Sequence, residues 1–292
     1  MIQIDPIIVG DNQFIGVSHL SQESARTKME RFSDAQEIAR IMEFASNMGV
    51  KAITMSSHSR TRDILSCMKE HDLGNINYYP LIPYVQEYVR IAGEKGTVGL
   101  LTDVLRSAST IAKSKILLKG GIGFVKKDVI SLLGTLIDIE LLPFKGYPVK
   151  AIFLHNVLTD LALGIGAEEI FRFYIKYVIE KQNAIPGFAT LNFARLVKTF
   201  YEWGIYDPLV MASFNKVGFQ MNPSREECER CLREYKVDLV AMSTLASGYL
   251  KPEEAYEYLF SLPNIKSVAV GVSTREHAEE TFRIITKFFS TN

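Results

Sequence analysis

KAIFLHNVLTDLALGIGAEEIFRFYIKYVIEKQNAIPGFATLNFARLVKTFYEWGIYDPLVMAS, residues 150–213, alternates between two hydrophobic periods. Lys150–Leu154, Ile185–Ala189 and Leu209–Ser213 are short apolar runs without polar alternation, as a parallel sheet buried on both faces requires. Between them, Ala167–Gln182 and Asn192–Trp203 space their apolar residues at helical intervals. The rhythm is strand, helix, strand, helix, strand.

It continues in both directions. Downstream, Pro223-Ser224 opens a helix in which Glu227 completes a capping box. Asp238–Ser243 reads as a strand, Pro252–Leu262 as a helix, Val268–Val272 as a strand and Thr274–Phe289 as the last helix. Upstream, Pro6–Gly10 is the first strand. Ser33–Met48 is then a helix, with Ile38, Ile41, Met42 and Ala45 on one face, a Ser33/Gln36 capping box and Gly49 as its stop. Ala52–Met55 is a strand, Thr61–Lys69 a helix and Ile76–Pro83 a third strand. Between residues 84 and 148, Val98–Lys113 and Asp128–Leu142 read as helices around the loop Lys119–Gly123, which makes an enlarged connection between strands three and four. Eight such units predict one (β/α)8 TIM barrel over residues 1–292, its site at the C-terminal strand ends. A doubly wound open sheet shows the same alternation. The count of eight, and the lack of a GxGxxG segment after the first strand, favour the barrel.

Composition narrows the function classes. The chain has 292 residues, 33 basic and 33 acidic side chains, and no basic stretch dense enough for a nucleic-acid groove. No apolar run approaches the roughly 18 residues of a membrane span, and the first residues lack a signal-peptide pattern. Three cysteines argue against a disulfide framework. The expectation is a cytoplasmic protein acting on a small molecule, with no nucleic-acid or membrane partner.

On the barrel reading, polar residues following strands face the site. Asp11 and Asn12 follow strand one, as does His19; His58 and Arg60 follow strand two; Tyr84 follows strand three and His155 ends strand four. Histidine is the natural acid or base near neutral pH, so His155 and His58 are the catalytic candidates. Asp11, Asn12, His19 and Arg60 are candidates for substrate contact. The histidine spacing is not a metal motif, and no metal is expected. Cys228-Glu-Arg-Cys231 has CxxC spacing but lies in mid-helix without a second pair, so a structural role is the better reading. Ser273 with Glu276 makes a capping box at the last helix, a place for phosphate on free N–H groups, with Arg275 beside it.

The residues also resemble a family. Ser243-Thr-Leu-Ala-Ser-Gly248, Gly271-Val-Ser-Thr-Arg-Glu-His277 and Val9–Gly16 are similar to segments of the aldo-keto reductases, and His155 falls where their histidine stands. The resemblance implies a nicotinamide dinucleotide, NADP or NAD, held by Ser243, Ser247, Gly248, Gly271, Ser273, Thr274 and Arg275. It also implies a catalytic Asp, Tyr and Lys. Those positions carry instead Thr54, Ser59 with His58 beside it, and Ile82 or Pro83, so Tyr84 is a candidate replacement acid. Ala189, Thr190 and Met211 stand where the family holds the nicotinamide amide. Three readings stay open: a divergent oxidoreductase, an isomerase or lyase using His155 and His58 on a phosphorylated small molecule, and a non-catalytic ligand-binding barrel.

Overall fold

Strands β1 (Ile7–Gly10), β2 (Ala52–Ser56), β3 (Asn77–Ile82), β4 (Ala151–Leu154), β5 (Ile185–Thr190), β6 (Leu209–Ser213), β7 (Asp238–Met242) and β8 (Ile265–Gly271) close into one parallel barrel in that order. The structure is a computed structural model and describes residues 3–15, 22–84, 126–272 and 274–291. Closure is through β1 and β8, in register from Ile7 with Val268 to Gly10 with Gly271. The predicted (β/α)8 barrel is the observed fold. The proposed helix Val98–Lys113 and the loop Lys119–Gly123 lie outside the described residues.

Helices α1 (Gln22–Arg31), α2 (Ala35–Asn47), α3 (Thr61–Glu70), α4 (Lys126–Glu140), α5 (Asn156–Gly164), α6 (Glu168–Gln182), α7 (Phe193–Glu202), α8 (Arg225–Glu234), α9 (Pro252–Phe260) and α10 (Arg275–Thr291) accompany the strands. Two of them, α1 and α5, were not expected. The first is so polar that no apolar stripe announces it, and the second caps β4 with a short segment before the barrel helix α6. The cap of α2 also moves by one residue. Asp34 accepts from the Gln36 N–H at 2.9 Å, while the Ser33 hydroxyl turns back to the Glu30 carbonyl at 2.8 Å. An aspartate and a serine are equally good caps, so the sequence does not discriminate between neighbours. At α8 the expected Ser224 cap is present, its Oγ accepting from the Glu227 N–H at 3.2 Å.

Strand alternation divides the buried side chains into two cores. Val9, Ile53, Tyr78, Ile152, Phe188, Val210, Leu239 and Val268 point outward and pack under the helices. Ile8, Ala52, Tyr79, Ala151, Phe153, Ala189, Leu209, Met211 and Val240 fill the barrel. Inside, large residues sit against small ones. A Cβ on Gly187 would fall 2.5 Å from the Phe153 ring, so glycine is what lets that phenyl lie across the barrel. Gly187→Ala is expected to lower stability by about 1–2 kcal/mol through overpacking. Combining it with Phe153→Leu should recover part of the loss, and additive losses in denaturant titrations would show the two positions to be independent.

The N-terminal end of the barrel is closed by a polar plug. Asp5 accepts from the Tyr79 hydroxyl at 2.5 Å, Lys150 Nζ at 3.0 Å and Asn77 Nδ2 at 3.1 Å, and its own N–H donates to the Tyr79 oxygen at 3.0 Å. Tyr79 is fully buried, and burial holds its phenol well above the usual range. That end is sealed.

Candidate functional site

Counting up each strand in steps of two gives the side chains that ring the C-terminal mouth. From Thr54, Phe153, Met211 and Ala269 the next inward positions are Ser56, His155, Ser213 and Gly271. His155 leaves β4 in an extended conformation and caps α5, its Nδ1 accepting from the Val157 N–H at 3.3 Å. A ring nitrogen that accepts must be unprotonated, so the hydrogen of the neutral imidazole is on Nε2. Burial pushes the His155 pKa down to about 4. His155 is therefore a neutral Nε2–H donor at physiological pH, and nitrogen-15 spectra at pH 6 should show that tautomer. An imidazolium signal at pH 6 would refute it.

Two strands on, Ser213 is 2% exposed and its Oγ has no hydrogen-bond partner among the described residues. Thr54 Oγ1, on β2 inside the barrel, and Gln13 Oε1, beside β8, are also buried without partners among the described residues. Buried hydroxyls and amides are ordinarily satisfied, so unspent groups on the inner wall are notable. Strand alternation from Met211 finds Ser213, although nothing in its local sequence marks it out. Its neighbour Thr190 is already engaged. Its hydroxyl donates to Asp160 of α5, and Asp160 also accepts from the Leu191 N–H at 3.0 Å.

Asp11 begins a 3-10 turn directly after β1 and is 4% exposed. Its Oδ2 accepts from the Ser56 N–H at 2.7 Å, which ties the ends of β1 and β2 together. Burial raises its carboxyl to about 6, opposed only by hydrogen bonds from Ser56 and its own backbone. Asn12, in contrast, is exposed on the turn.

His58 and Tyr84 meet at the ends of β2 and β3, with ring centroids 5.2 Å apart in an edge-on pair. The His58 Nδ1 accepts from the Arg60 N–H at 3.1 Å. Beneath them Glu140, 6% exposed at the end of α4, accepts from the Ser57 hydroxyl and from the Tyr84 N–H at 2.9 Å. The sequence reading missed Glu140, because a glutamate ending an amphipathic helix looks like a solvated residue. Arg60 stands apart from the mouth. Its guanidinium donates to the carbonyls of Phe14 at 3.4 Å, Phe32 at 2.6 Å and Ser33 at 2.8 Å, clamping the β1 turn to the segment before α2. His19 lies outside the described residues.

The residues expected to hold a phosphate lie on two loops. Thr274 Oγ1 accepts from the His277 N–H at 3.2 Å, so Thr274 caps the 17-residue helix α10. Ser273 lies outside the described residues. Arg275 is exposed, its guanidinium 5.9 Å from the Phe44 ring centroid. Opposite, Ser243, Ala246 and Ser247 all hold left-handed backbone, with φ of 53°, 46° and 59°. Such conformations cost about 1–3 kcal/mol each for residues other than glycine and concentrate at ligand sites. Gly248, with φ 90°, completes the turn at the usual glycine advantage. Asn215, fully buried, holds this loop by donating to the Ser243 carbonyl at 3.2 Å.

The two cysteines of α8 are buried, with Cys228 raised to about 11 and Cys231 to about 12 by burial. Thiols held protonated in this way are packing groups. Among the described residues no cluster of three or more His, Cys, Asp or Glu is arranged to hold a metal. No helix among them is long and apolar enough to cross a membrane. Two surface grooves, about 620 Å³ along Lys216–Glu226 and about 500 Å³ at the N-terminal ends of β4 and β5, contain neither His155 nor Asp11.

The barrel is similar to solved aldo-keto reductase structures. Two, from Pseudomonas aeruginosa proteins named as aldo-keto reductases, superpose with TM-scores of 0.58 and 0.59 at 13% and 12% identity. A third, the thermostable aldo-keto reductase Tm1743 solved with the inhibitor epalrestat, gives 0.52 at 14% identity. In each case 97% of this chain and 90% of the other are covered. At such identities the likeness is one of fold. No protein-family model matches the sequence, and the comparison with curated proteins gives no match.

Proposed function

We propose that the C-terminal mouth binds a nicotinamide dinucleotide, NADP or NAD, and that the protein is a divergent aldo-keto-reductase-like oxidoreductase. His155 carries this reading. It is a neutral N–H donor in the top ring of the barrel, suited to a substrate carbonyl oxygen and to the partial negative charge that develops there. The aldo-keto reductase fold and the segments Ser243–Gly248 and Gly271–His277 support the cofactor assignment.

The residues fit such a cofactor at its phosphate end. The Thr274-capped end of α10 offers the positive end of its dipole to an anion, in a place where the Glu276 carboxylate already takes its own N–H. Arg275 supplies a bidentate cation from an exposed position, and the strained Ser243–Gly248 turn brings backbone close. At the nicotinamide end the fit is thinner. Ala189 and Met211 offer no polar group, and Thr190 is bonded to Asp160. Ser213 Oγ and Thr54 Oγ1 are hydroxyls there without a partner among the described residues. When bound, the cofactor supplies the hydride. The chain's own contribution is to orient the carbonyl through His155 and to keep water from it with the apolar ring beneath.

Titration with NADPH and NADH, followed by cofactor fluorescence, tests the reading. Saturable micromolar binding is expected, weakened about tenfold by Arg275→Ala, the loss of one charge-assisted contact. The absence of binding at millimolar cofactor would end the proposal.

A second reading rests on Asp11. A buried carboxyl raised to about 6 is poised for general acid–base work near neutral pH, where His155 is too weak a base. Proton transfer on a small molecule without a nicotinamide, as an isomerase or lyase performs it, would then centre on Asp11 in place of the histidines.

A further inference from the structure

The three-strand sector β8–β1–β2 of the mouth has two glycines side by side, Gly10 and Gly271, on its inner wall. Gly10 and Gly271 are paired in register, so two adjacent strands lack side chains at the same height. A Cβ built on Gly10 would have backbone atoms of β8 as its three nearest neighbours, the Val270 carbonyl oxygen at 3.7 Å first. Nothing from a side chain comes closer. Thr54, the register partner of Gly10 on β2, is 6% exposed and its Oγ1 has no partner among the described residues. Gln13 lies over Gly271, its Nε2 3.2 Å from where a Cβ would stand, and its Oε1 is buried with no partner among the described residues. Asp11 caps the same β1–β2 seam through the Ser56 N–H.

These groups share a chemistry. A carboxylate, an amide oxygen and a hydroxyl are all acceptors, and no cation balances the carboxylate through an ion pair or hydrogen bond among the described residues. An anionic ligand group would be repelled by Asp11. A neutral hydroxyl would satisfy the two orphaned oxygens but leave the buried charge without a counter-ion. A primary ammonium does both, because it carries a positive charge and three donors. We infer that the sector walled by Gly10 and Gly271 and floored by Thr54 binds the primary ammonium group of a small-molecule ligand, with Asp11, Thr54 and Gln13 as its acceptors. A metal ion is the weaker alternative, since one carboxylate is a poor donor set for a hard cation. The inference does not depend on a dinucleotide, and a protein that fails to bind NADPH still submits to its test.

The test uses ethylammonium chloride on the whole protein, read by the carbon-13 resonance of the Asp11 carboxyl at pH 7.5. Tetramethylammonium chloride has the charge without the donors, and ethanol has a donor without the charge. Ethylammonium is expected to move the resonance saturably, in the millimolar range natural for a ligand of three heavy atoms. Gly10→Ala fills the space without a clash, and Thr54→Val keeps the shape while removing the hydroxyl. Each is expected to weaken ethylammonium at least tenfold with the thermal midpoint preserved. Equal responses to ethanol or tetramethylammonium would overturn the inference, as would unchanged affinity in both variants. Saturation by sodium, potassium or calcium that excludes ethylammonium would overturn it in favour of a metal site.

Discussion

Asp5→Ala is expected to cost about 3–4 kcal/mol of folding stability, read as a lower denaturant midpoint with an unchanged slope. The carboxylate takes hydrogen bonds from Tyr79, Lys150 and Asn77 at the N-terminal end of the barrel. Removing it strands different groups by different amounts. Tyr79 is the worst placed, because its ring fills the barrel and its hydroxyl, fully buried, loses the acceptor for its proton. A buried donor left unpaired costs about 1–3 kcal/mol. Lys150 is 30% exposed at its side chain and is able to swing its ammonium to water, so its share is smaller. Asp5→Asn keeps an acceptor for Tyr79 and loses only the charge, so its cost should be about half. The pair Asp5→Ala with Tyr79→Phe should be less than additive, since a ring without the hydroxyl has no donor left to satisfy. Full additivity would mean that the plug is not one network.

The barrel was legible because its signal is periodic and repeated. The runs around Ile152, Phe188, Val210 and Leu239 are apolar throughout, as two-sided burial demands, and the helices between them have clear stripes. What periodicity does not carry is chemistry at a distance. Arg60 reads as an anion site from its position after β2, and only the fold brings the Phe14, Phe32 and Ser33 carbonyls to its guanidinium. The Asp160–Thr190 bond depends on α5, a helix too short to predict. His155 was found by its place after a strand, but its tautomer comes from the Val157 N–H, which the sequence does not reveal. Ser213 and Thr54 show the reverse case. Both were within reach of counting by twos, yet small hydroxyls inside apolar strands look like packing until their unmet hydrogen bonds are seen.

Asp11→Asn is expected to stabilise the protein at pH 8 by about 2–3 kcal/mol, and to do nothing for it at pH 3. The carboxyl rises from 3.8 to about 6 in the folded state, chiefly through burial. Ionisation is thus harder in the folded protein than in the unfolded chain. Below about pH 3 both states are largely protonated and the group has no effect on stability. As pH climbs toward 6 the unfolded chain has released its proton while the folded protein still holds it, and stability falls. Above 6 the whole penalty is present, about 3 kcal/mol at about 1.4 kcal/mol per pKa unit. Asparagine escapes the penalty while its Oδ1 still accepts the Ser56 N–H that Asp11 now takes at 2.7 Å. His155 titrates with the opposite sign, its pKa lowered from 6.5 to about 4, so its contribution weakens as pH falls below 6.5. The difference between Asp11→Asn and the parent isolates the carboxyl, because His155 is common to both. Measured from about pH 3 to 9, that difference should open between about 4 and 6 and then stay flat. A flat difference across the whole range would show that Asp11 ionises as freely folded as unfolded. A carboxylate that the fold retains at such a cost is held for what it binds, and loss of ethylammonium binding in the same stabilised variant would make the exchange of stability for ligand visible in one protein.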